Sequence, residues 1–205
     1  MKDLLIMGNG VHACEMVEII ERWNQNNEYR FLGFVAGKPD ENGLMGYPVF
    51  GLEDLRGSLR HAALIPDNTF ELEVKQEFYG RMISLIDPSC FVSRTAQIGR
   101  GVVLFPHCYV GLNAILEDFV FCLSGSIINH DDMIGEGSIL ASGVRLAGHV
   151  KVEREVYLGQ ACTIKQYITI GEKSIIGTGA VVVKDVDPNS VMAGNPARKL
   201  EKKLK

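Results

Sequence analysis

The chain has 205 residues, of which 46% are apolar and 22% charged, and its formal net charge is −4. This length suffices for one ordinary domain or two small ones. The charge excludes the basic footprint of a nucleic-acid-binding protein, and no apolar run is long enough to span a membrane. Five cysteines without a CxxC pair favour a reducing compartment over a disulfide framework or a zinc site. No signal peptide follows Met1, so we expect a cytoplasmic protein that contacts neither membrane nor nucleic acid.

Residues 1–84 alternate short apolar strands with helical patterns. In chain order the predicted elements are a strand at 4–7, a helix through 16–23, a strand at 31–35, a loop at 37–43, a strand at 62–65 and a helix within 70–83. Strand, helix and strand in this order predict a small parallel sheet with crossover helices, that is, a Rossmann-like α/β domain.

Residues 85–205 follow a different, six-residue period. Every sixth residue from Ile86 to Val182 is Ile, Val, Leu or Cys, without a slip. The side chain four places after each of these is usually small, and Asp132 is the one charged exception. Such a period predicts short strands joined by corners, three to a triangular coil of 18 residues, with coils stacked about 4.8 Å apart. The second half is therefore predicted to be a parallel β-helix.

The same register explains four of the cysteines. Cys90, Cys108 and Cys162 fall on inward small positions, and Cys122 falls on an inward large one. We therefore expect all four to be reduced and packed inside the coil.

His130 falls on an outer corner, in the third place of the hexad that begins at Ile128. A histidine outside the coil is available for chemistry, although a plain surface histidine is the simpler interpretation. Histidine's ordinary pKa, near 6.5, suits a general base at neutral pH, and Asp131 could orient its ring. Gly148, one coil later in the same column, could offer its backbone N–H to a reacting carbonyl.

Two segments of the second half, "NHDDMIG" (129–135) and "VMAGNPARKL" (191–200), resemble the hexapeptide-repeat acetyltransferases. The first half, with "LLIMGNGVHACEMVEII", "FLGFV" and "GYPVFGLEDL", resembles their sugar-nucleotide subgroup. That subgroup contains UDP-4-amino-sugar N-acetyltransferases and sialic-acid O-acetyltransferase-like proteins. The resemblance covers essentially the whole chain. It implies a left-handed coil and a homotrimer with active sites between subunits, and to this fold we add a short C-terminal helix over the basic residues 198–205.

The resemblance also implies roles for individual residues. His130 matches the catalytic base, Asp131 its acidic partner and Gly148 the glycine that meets the acetyl carbonyl. Acetyl-CoA is the implied co-substrate, and no metal is implied. The residues implied to contact acetyl-CoA, besides Gly148, are Gly177, Ala180, Gly194, Asn195 and Pro196.

A glycine turn follows the first strand, at Gly8 and Gly10, and leads into a helix that carries His12. A phosphate-cradling turn and a plain strand-to-helix turn both fit this pattern. In the resembling family the turn and its histidine lie against the sugar nucleotide. We therefore predict that Gly8, Gly10, His12, Asp67 and Asn68 contact a nucleotide-linked sugar.

The departures from the family pattern concern the acceptor. They are Val11 in place of a frequent glycine, Ala36-Gly37-Lys38 in place of an acidic pair, Pro66 in place of a glycine, Leu123 in place of an asparagine, and Ile139 in place of a second histidine. The sequence therefore indicates the donor chemistry more firmly than the acceptor.

We expect N-acetylation of a nucleotide-linked amino-deoxysugar in bacterial glycan synthesis, with His130 as the base. Three alternatives stay open. One is O-acetylation of a sugar hydroxyl, and another is a non-catalytic trimeric protein that binds sugar nucleotides. The third is a zinc-dependent carbonic anhydrase, which uses the same coil but needs a close histidine pair. His107 falls on a different corner from His130, which argues against that alternative.

Overall fold

The computed structural model describes residues 1–200 and divides the chain into two compact units. The first unit contains Met1–Pro88 and Arg100–Val103, and the second contains Ser89–Gly99 and the chain from Leu104 onward. Assigning sugar-nucleotide binding to the first part and acyl transfer to the second stays a prediction.

The first unit is built around a five-stranded sheet. Its elements are β1 (Lys2–Met7), α1 (Val11–Trp23), β2 (Tyr29–Ala36), β3 (Asp40–Leu44), β4 (Tyr47–Gly51), α2 (Leu52–Arg56), β5 (Ala63–Pro66), α3 (Leu72–Glu77) and a 3₁₀ turn (Tyr79–Arg81). The strand order is β3-β4-β2-β1-β5, and only β3 and β4 pair antiparallel. The small parallel sheet predicted from the sequence is confirmed.

The core of this unit forms where α1 covers β1. The last four residues of β1 are fully buried, and α1 buries Met16, Val17, Ile19 and Ile20 on one face. Burying a large aliphatic side chain stabilises the fold by about 1.5–3 kcal/mol. The apolar strand and the helical spacing predicted this packing correctly.

The prediction of a loop at 37–43 is partly wrong, because β3 begins at Asp40. Met45 and Gly46 both have positive φ, 51° and 80°, and the turn they form lets β3 pair with β4. Four of the five residues of β3 are polar or glycine, a composition with low strand propensity. The pairing with β4, and not the local sequence, therefore makes this segment a strand.

The helix predicted within 70–83 is also shorter than expected. Helix α3 ends at Glu77, and a 3₁₀ turn with Arg81 follows. The Arg81 guanidinium donates hydrogen bonds to the carbonyls of Leu55, Leu59 and Ala62, at 2.8–2.9 Å. These tertiary bonds hold the chain in place after α3.

The second unit is a parallel β-helix with three faces, and its coil is left-handed. Face one contains β7 (Phe91–Val92), β10 (Tyr109–Val110), β13 (Ile127–Ile128), β16 (Arg145–Leu146), β19 (Thr163–Ile164) and β22 (Val181–Val182). Face two contains β8 (Gln97–Ile98), β11 (Ile115–Leu116), β14 (Met133–Ile134), β17 (Lys151–Val152) and β20 (Thr169–Ile170). Face three contains β9 (Val103–Leu104), β12 (Phe121–Cys122), β15 (Ile139–Leu140), β18 (Tyr157–Leu158), β21 (Ile175–Ile176) and β23 (Val191–Ala193). Strand β6 (Leu85–Ile86) belongs to the first unit.

The interior of the coil follows the six-residue period. From Leu104 to Val182 every residue of the large apolar set is at most 2% exposed. Cys108, Cys122 and Cys162 are buried and free, as expected, whereas Cys90 is half-buried. Burial raises the pKa of the Cys162 thiol to about 12, which keeps it protonated at neutral pH.

The described end of the chain is not helical. Strand β24 (Arg198–Lys199) pairs antiparallel with β23, with Met192 opposite Lys199 and Ala193 opposite Arg198. The short C-terminal helix predicted at 198–205 is therefore wrong for residues 198–200, where backbone pairing with β23 holds the chain extended. The rest of that prediction, residues 201–205, lies outside the described residues. Within residues 1–200, no helix combines the length and apolar character needed to cross a bilayer.

Candidate active site

His130 and Asp131 lie on the corner between β13 and β14. The His130 side chain is 52% exposed and stands outside the coil, as its place in the hexad predicted. Asp131 has φ 60°, a left-handed conformation that Asp tolerates better than most residues. Its backbone N–H donates to the Leu112 carbonyl of the preceding coil at 2.8 Å. The coil ladder thus fixes the backbone that presents the histidine.

The Asp131 carboxylate orients the His130 ring. His130 Nδ1 lies 2.9 Å from Asp131 Oδ2, while Asn113 Nδ2 donates to Asp131 Oδ1 at 3.1 Å. The hydrogen bond with His130 and, next, the one from Asn113 lower the pKa of Asp131 below its usual value. A charged carboxylate beside Nδ1 favours the tautomer with its proton on Nδ1, which leaves the Nε2 lone pair free to accept a proton.

Gly148 lies against the other ring nitrogen of His130. A Cβ on Gly148 would lie 2.9 Å from His130 Nε2 and 3.0 Å from Cε1. Gly148 also has φ 82°, which disfavours any residue with a side chain. Within residues 1–200, its backbone N–H donates to no acceptor. The His130 ring and a free N–H donor therefore lie on adjacent coils of one corner, as the 18-residue stacking predicted.

The hydrogen bonds of Asp132 explain why a charged residue occupies one of the small, inward-facing positions. Asp132 is fully buried; its Oδ2 accepts the N–H of Asn129 at 2.6 Å, and its Oδ1 accepts the N–H of Val150 at 2.8 Å. Burial raises the pKa of Asp132, and the two N–H donors oppose that rise. The carboxylate ties the residue before His130 to the residue after His149. The charge in an otherwise small and neutral series was the sequence signal for this role.

His149 and Tyr167 continue the corner beyond His130. The His149 ring meets the His130 ring edge-on, with centroids 5.1 Å apart, and stacks on Tyr167 at 4.8 Å and 11°. His149 Nε2 lies 3.8 Å from Asp131 Oδ2. Tyr167 was not predicted as part of the site, although it lies 18 residues after His149 and the coil period therefore places it on the same column.

The remaining residues predicted to bind the donor lie on other parts of the coil. Gly177 is half-buried on the corner after β21, a different corner from that of His130. Ala180 is 0% exposed, with its methyl inside the coil, so only its backbone could meet a ligand. Gly194, Asn195 and Pro196 form an exposed turn between β23 and β24, with a cis Asn195–Pro196 peptide.

The predicted acceptor residues belong to the first unit, where Asp67 packs onto the glycine turn. Its carboxylate is fully buried, and a Cβ at Gly8 would overlap it. Asp67 Oδ1 accepts hydrogen bonds from the Thr69 N–H at 2.7 Å and the Thr69 hydroxyl at 2.6 Å. Burial raises the pKa of Asp67, and the bonds from Thr69 and from the Gly10 N–H oppose that rise. Because the Asp67 side chain already occupies the space against Gly8 and meets the Gly10 N–H, it leaves less room for a phosphate on this turn. The structure therefore favours a plain strand-to-helix turn over a phosphate-binding turn.

His12 and Asn68 flank this turn. His12 is partly exposed, and its Nδ1 lies 3.1 Å from Glu15 Oε2. Asn68 directly follows the buried Asp67 and is half-buried. Both side chains reach solvent and stay predicted contacts for the acceptor.

Comparison with known proteins supports the interpretation of the coil. No family model matches the sequence. Over 86 residues the chain is 37% identical to the acyl-[acyl-carrier-protein]–UDP-N-acetylglucosamine O-acyltransferase of Agrobacterium fabrum, covering 42% of this chain and 32% of that protein. Over 114 residues it is 32% identical to serine acetyltransferase 2 of Arabidopsis thaliana, covering 52% of this chain and 34% of that protein. The chain thus spans about a third of the length of these curated relatives.

The chain is similar in sequence to acyltransferases of the hexapeptide-repeat kind. Among solved structures of this fold, the acetyltransferase domain of PglB from Neisseria gonorrhoeae matches with a TM-score of 0.88 and 24% identity, covering 98% of this chain and all of that one. PerB from Caulobacter crescentus, solved with CoA and GDP-perosamine, matches with a TM-score of 0.88 and 24% identity over 98% of both chains. At this identity the two structures establish the fold of the chain, including its α/β part.

Proposed function

We propose that the chain is an acetyl-CoA-dependent N-acetyltransferase that acetylates the amino group of a nucleotide-linked amino-deoxysugar in bacterial glycan synthesis. The observation that carries the proposal is the arrangement of His130 between Asp131 and Gly148. His130 Nδ1 lies 2.9 Å from Asp131 Oδ2, and His130 Nε2 lies 2.9 Å from the position that a Cβ of Gly148 would occupy.

In the proposed reaction, His130 Nε2 acts as the general base. The amino nitrogen of the acceptor attacks the thioester carbonyl, and Nε2 takes the proton that the nitrogen must lose. Asp131 stabilises the imidazolium that forms. Collapse of the tetrahedral intermediate breaks the carbon–sulfur bond, and the imidazolium returns the proton to the departing thiolate. The products are an amide and free CoA.

Gly148 contributes its backbone rather than a side chain. The carbonyl oxygen of the thioester gains negative charge as the amine attacks, and a free N–H on the adjacent coil can donate to it. The absence of a Cβ lets the His130 ring pack against Gly148, which keeps Nε2 close to this backbone. Gly177 and the backbone near Ala180 are proposed to line the pantetheine path, with Gly194, Asn195 and Pro196 at the nucleotide end of acetyl-CoA.

The acceptor is proposed to be bound by the first unit through His12 and Asn68. The PerB structure contains GDP-perosamine, an amino sugar linked to a nucleotide, which supports this class of acceptor. The buried Asp67 is proposed to shape the glycine turn at Gly8 and Gly10, so that contact with the acceptor there involves backbone rather than phosphate.

We also propose a cytoplasmic homotrimer whose active sites lie between subunits. The coil exposes large apolar side chains on the outer sides of its faces, among them Phe91 at 56%, Ile175 at 45% and Tyr157 at 42%. Phe91 also stacks on Tyr109 at 5.0 Å. Exposed apolar surface of this kind supports an interface between copies of the chain. Light scattering coupled to gel filtration tests the trimer.

The test of the reaction is release of free thiol from acetyl-CoA across a panel of UDP-, dTDP- and GDP-linked amino sugars. We expect one or a few to be acetylated on nitrogen, and His130→Ala to lower kcat by about 10²- to 10⁴-fold, the usual contribution of a general base. CoA binding, measured by calorimetry, should persist in that variant.

The matched control is His107→Ala, which removes an exposed corner histidine on another edge of the coil. We expect it to retain the parent rate. If no amino-sugar nucleotide is turned over, the proposal of N-acetylation fails. If His107→Ala loses as much activity as His130→Ala, the assignment of the base fails.

A second candidate, O-acetylation of a sugar hydroxyl, is favoured by the sequence match to the O-acyltransferase of Agrobacterium fabrum. The base and the N–H donor would serve a hydroxyl in the same way. Treating the product with hydroxylamine separates the two reactions, because it cleaves an ester and leaves an amide intact.

A further inference from the structure

We infer that His130, Asp131 and His149 form a binding site for a divalent transition metal such as Zn²⁺, and that occupancy of this site blocks the base. Each of the three side chains offers one ligand atom within 4.8 Å of the other two. Within residues 1–200 they are the one group of three or more His, Cys, Asp or Glu side chains with this geometry. The metal would be an inhibitor and not a cofactor.

The donor set selects the class of metal. Two imidazole nitrogens and one carboxylate oxygen suit Zn²⁺, Ni²⁺, Cu²⁺ or Co²⁺, whereas Mg²⁺ and Ca²⁺ prefer oxygen ligands throughout. All three side chains are between 37% and 52% exposed, so water can complete the coordination. The site can therefore exchange metal with solvent.

The distances need only small adjustments. A tetrahedral zinc ion with ligands at about 2.0–2.2 Å keeps neighbouring ligand atoms about 3.3 Å apart. Asp131 Oδ2 lies 2.9 Å from His130 Nδ1 and 3.8 Å from His149 Nε2. These two gaps differ from the ideal by about half an ångström, and the two imidazole nitrogens lie within 4.8 Å of each other. Rotation of the exposed rings can bring the three ligand atoms to the ideal spacing.

The surroundings of the site hold these ligands in place. Asn113 donates to Asp131 Oδ1, which leaves Oδ2 to face the metal. His149 is fixed by stacking on Tyr167, and its backbone N–H donates to the His130 carbonyl at 3.1 Å. Partners that orient ligands in this way strengthen metal binding by about 10- to 100-fold.

A metal ion at this position would inhibit acyl transfer by changing the tautomer of His130. A bond from Nδ1 to the metal replaces the Nδ1–H bond to Asp131 and leaves the ring proton on Nε2. A protonated Nε2 cannot accept a proton from the acceptor. This inhibitory consequence depends on the proposed function, whereas metal binding itself does not.

The experiment titrates Zn²⁺ into tag-free protein from which metal has been removed with a chelator, and it follows binding by competition with a chromophoric chelator. We expect one site per chain. His149→Gln and Asp131→Asn should each weaken Zn²⁺ binding by at least about 10-fold, since a lost ligand should cost no less than a lost outer partner. His107→Gln, the matched histidine control, should bind Zn²⁺ as the parent does.

Activity is then measured with and without Zn²⁺, and each variant is compared with itself. The parent and His107→Gln should be inhibited and then recover on chelation, and His149→Gln should resist inhibition. Equal Zn²⁺ affinity in the parent and His149→Gln would overturn the inference, whatever the activity. Zn²⁺ binding in a protein that transfers no acyl group would uphold the metal site and refute the proposed function. Acyl transfer without Zn²⁺ binding would uphold the proposed function and refute the metal site.

Discussion

Replacing Asp132 tests whether a buried carboxylate holds together the corner that carries His130. The structure gives it two charge-assisted hydrogen bonds, from the N–H of Asn129 at 2.6 Å and from the N–H of Val150 at 2.8 Å. Asp132→Ala leaves both N–H groups without an acceptor. Each orphaned N–H costs about 1–3 kcal/mol, so the gross loss is about 2–6 kcal/mol.

Part of that loss is offset, because the carboxylate itself is buried at a cost. Desolvation is the largest influence on the pKa of Asp132 and raises it, so removing the charge relieves a penalty. We therefore expect the free energy of unfolding to fall by about 2–4 kcal/mol in Asp132→Ala. Asp132→Ser should lose about half as much, because Ser138 shows that an inward serine can accept one ladder N–H, from Val156 at 3.1 Å.

The same substitution should lower kcat. Asn129 directly precedes His130, and Val150 directly follows His149, so losing both bonds frees the backbone of the two coils that carry these histidines. A misplacement of about 1 Å can cost about 100-fold in rate. We expect a 10- to 100-fold loss of kcat in Asp132→Ala at a temperature where the variant is fully folded.

Ser138→Ala is the matched control for this prediction. Ser138 also makes two buried bonds on the inner side of a corner, accepting the Val156 N–H and donating to the Glu153 carbonyl at 2.8 Å. That corner does not carry His130, so stability should fall by about 1–3 kcal/mol while kcat stays within about 3-fold of the parent. Urea unfolding and the thiol-release assay supply the two measurements. Equal losses of kcat in Asp132→Ala and Ser138→Ala would refute the reasoning.

Three further substitutions test the site and its surroundings. Gly148→Ala should lower kcat by at least about 100-fold, because the added methyl meets His130 Nε2. The control is Gly143→Ala, where φ is 71° and the added methyl makes only an ordinary 4.0 Å contact. This variant should lose about 1–2 kcal/mol of stability and keep the parent rate. Asp131→Asn should lower kcat by about 10²- to 10⁴-fold with little change in KM for acetyl-CoA, because the amide no longer favours the productive tautomer; an unchanged kcat would refute the orienting role. Burial raises the pKa of Asp67, so its contribution to stability is complete below its unfolded value and is lost as pH rises through the folded value. The free energy of unfolding of the parent minus that of Asp67→Asn should therefore rise as pH falls from 7 toward 4, measured by urea unfolding, and a flat or opposite trend would contradict the assignment.

The coil was predictable because one short rule is repeated along it. The apolar residue at every sixth position, from Leu104 to Val182, is at most 2% exposed, so the pattern specified each strand without any long-range information. The same rule placed His130 outside and Gly148 beside it. The first unit has no such repeat, and β3 became a strand only through its pairing with β4. The polar sequence of β3 alone could not predict its pairing with β4.

The details of the site show the same contrast between what the repeat fixes and what depends on contacts between distant segments. His130, Asp131 and Gly148 were found from position and residue type, since a fixed period converts sequence spacing into adjacency in space. The bonds of Asp132 could not be read from the sequence, because they depend on which backbone N–H groups turn inward at one corner. Likewise, the packing of Asp67 against Gly8 needs two segments brought together by β1 and β5.

This division bears on why the proposed donor chemistry is clearer than the acceptor. A coil fixes the rise from one corner residue to the next, so His130 and the Gly148 N–H keep their spacing whatever the outward side chains become. The acceptor is proposed to be chosen by outward side chains and by the first unit, where no period constrains the sequence. Leu123 and Ile139, which lie where the resembling family has polar residues, are both half-buried. Substituting Leu123→Asn should therefore shift the ranking of acceptors in the panel without changing the KM for acetyl-CoA. An altered KM for acetyl-CoA with an unchanged acceptor ranking would show instead that this position serves the donor.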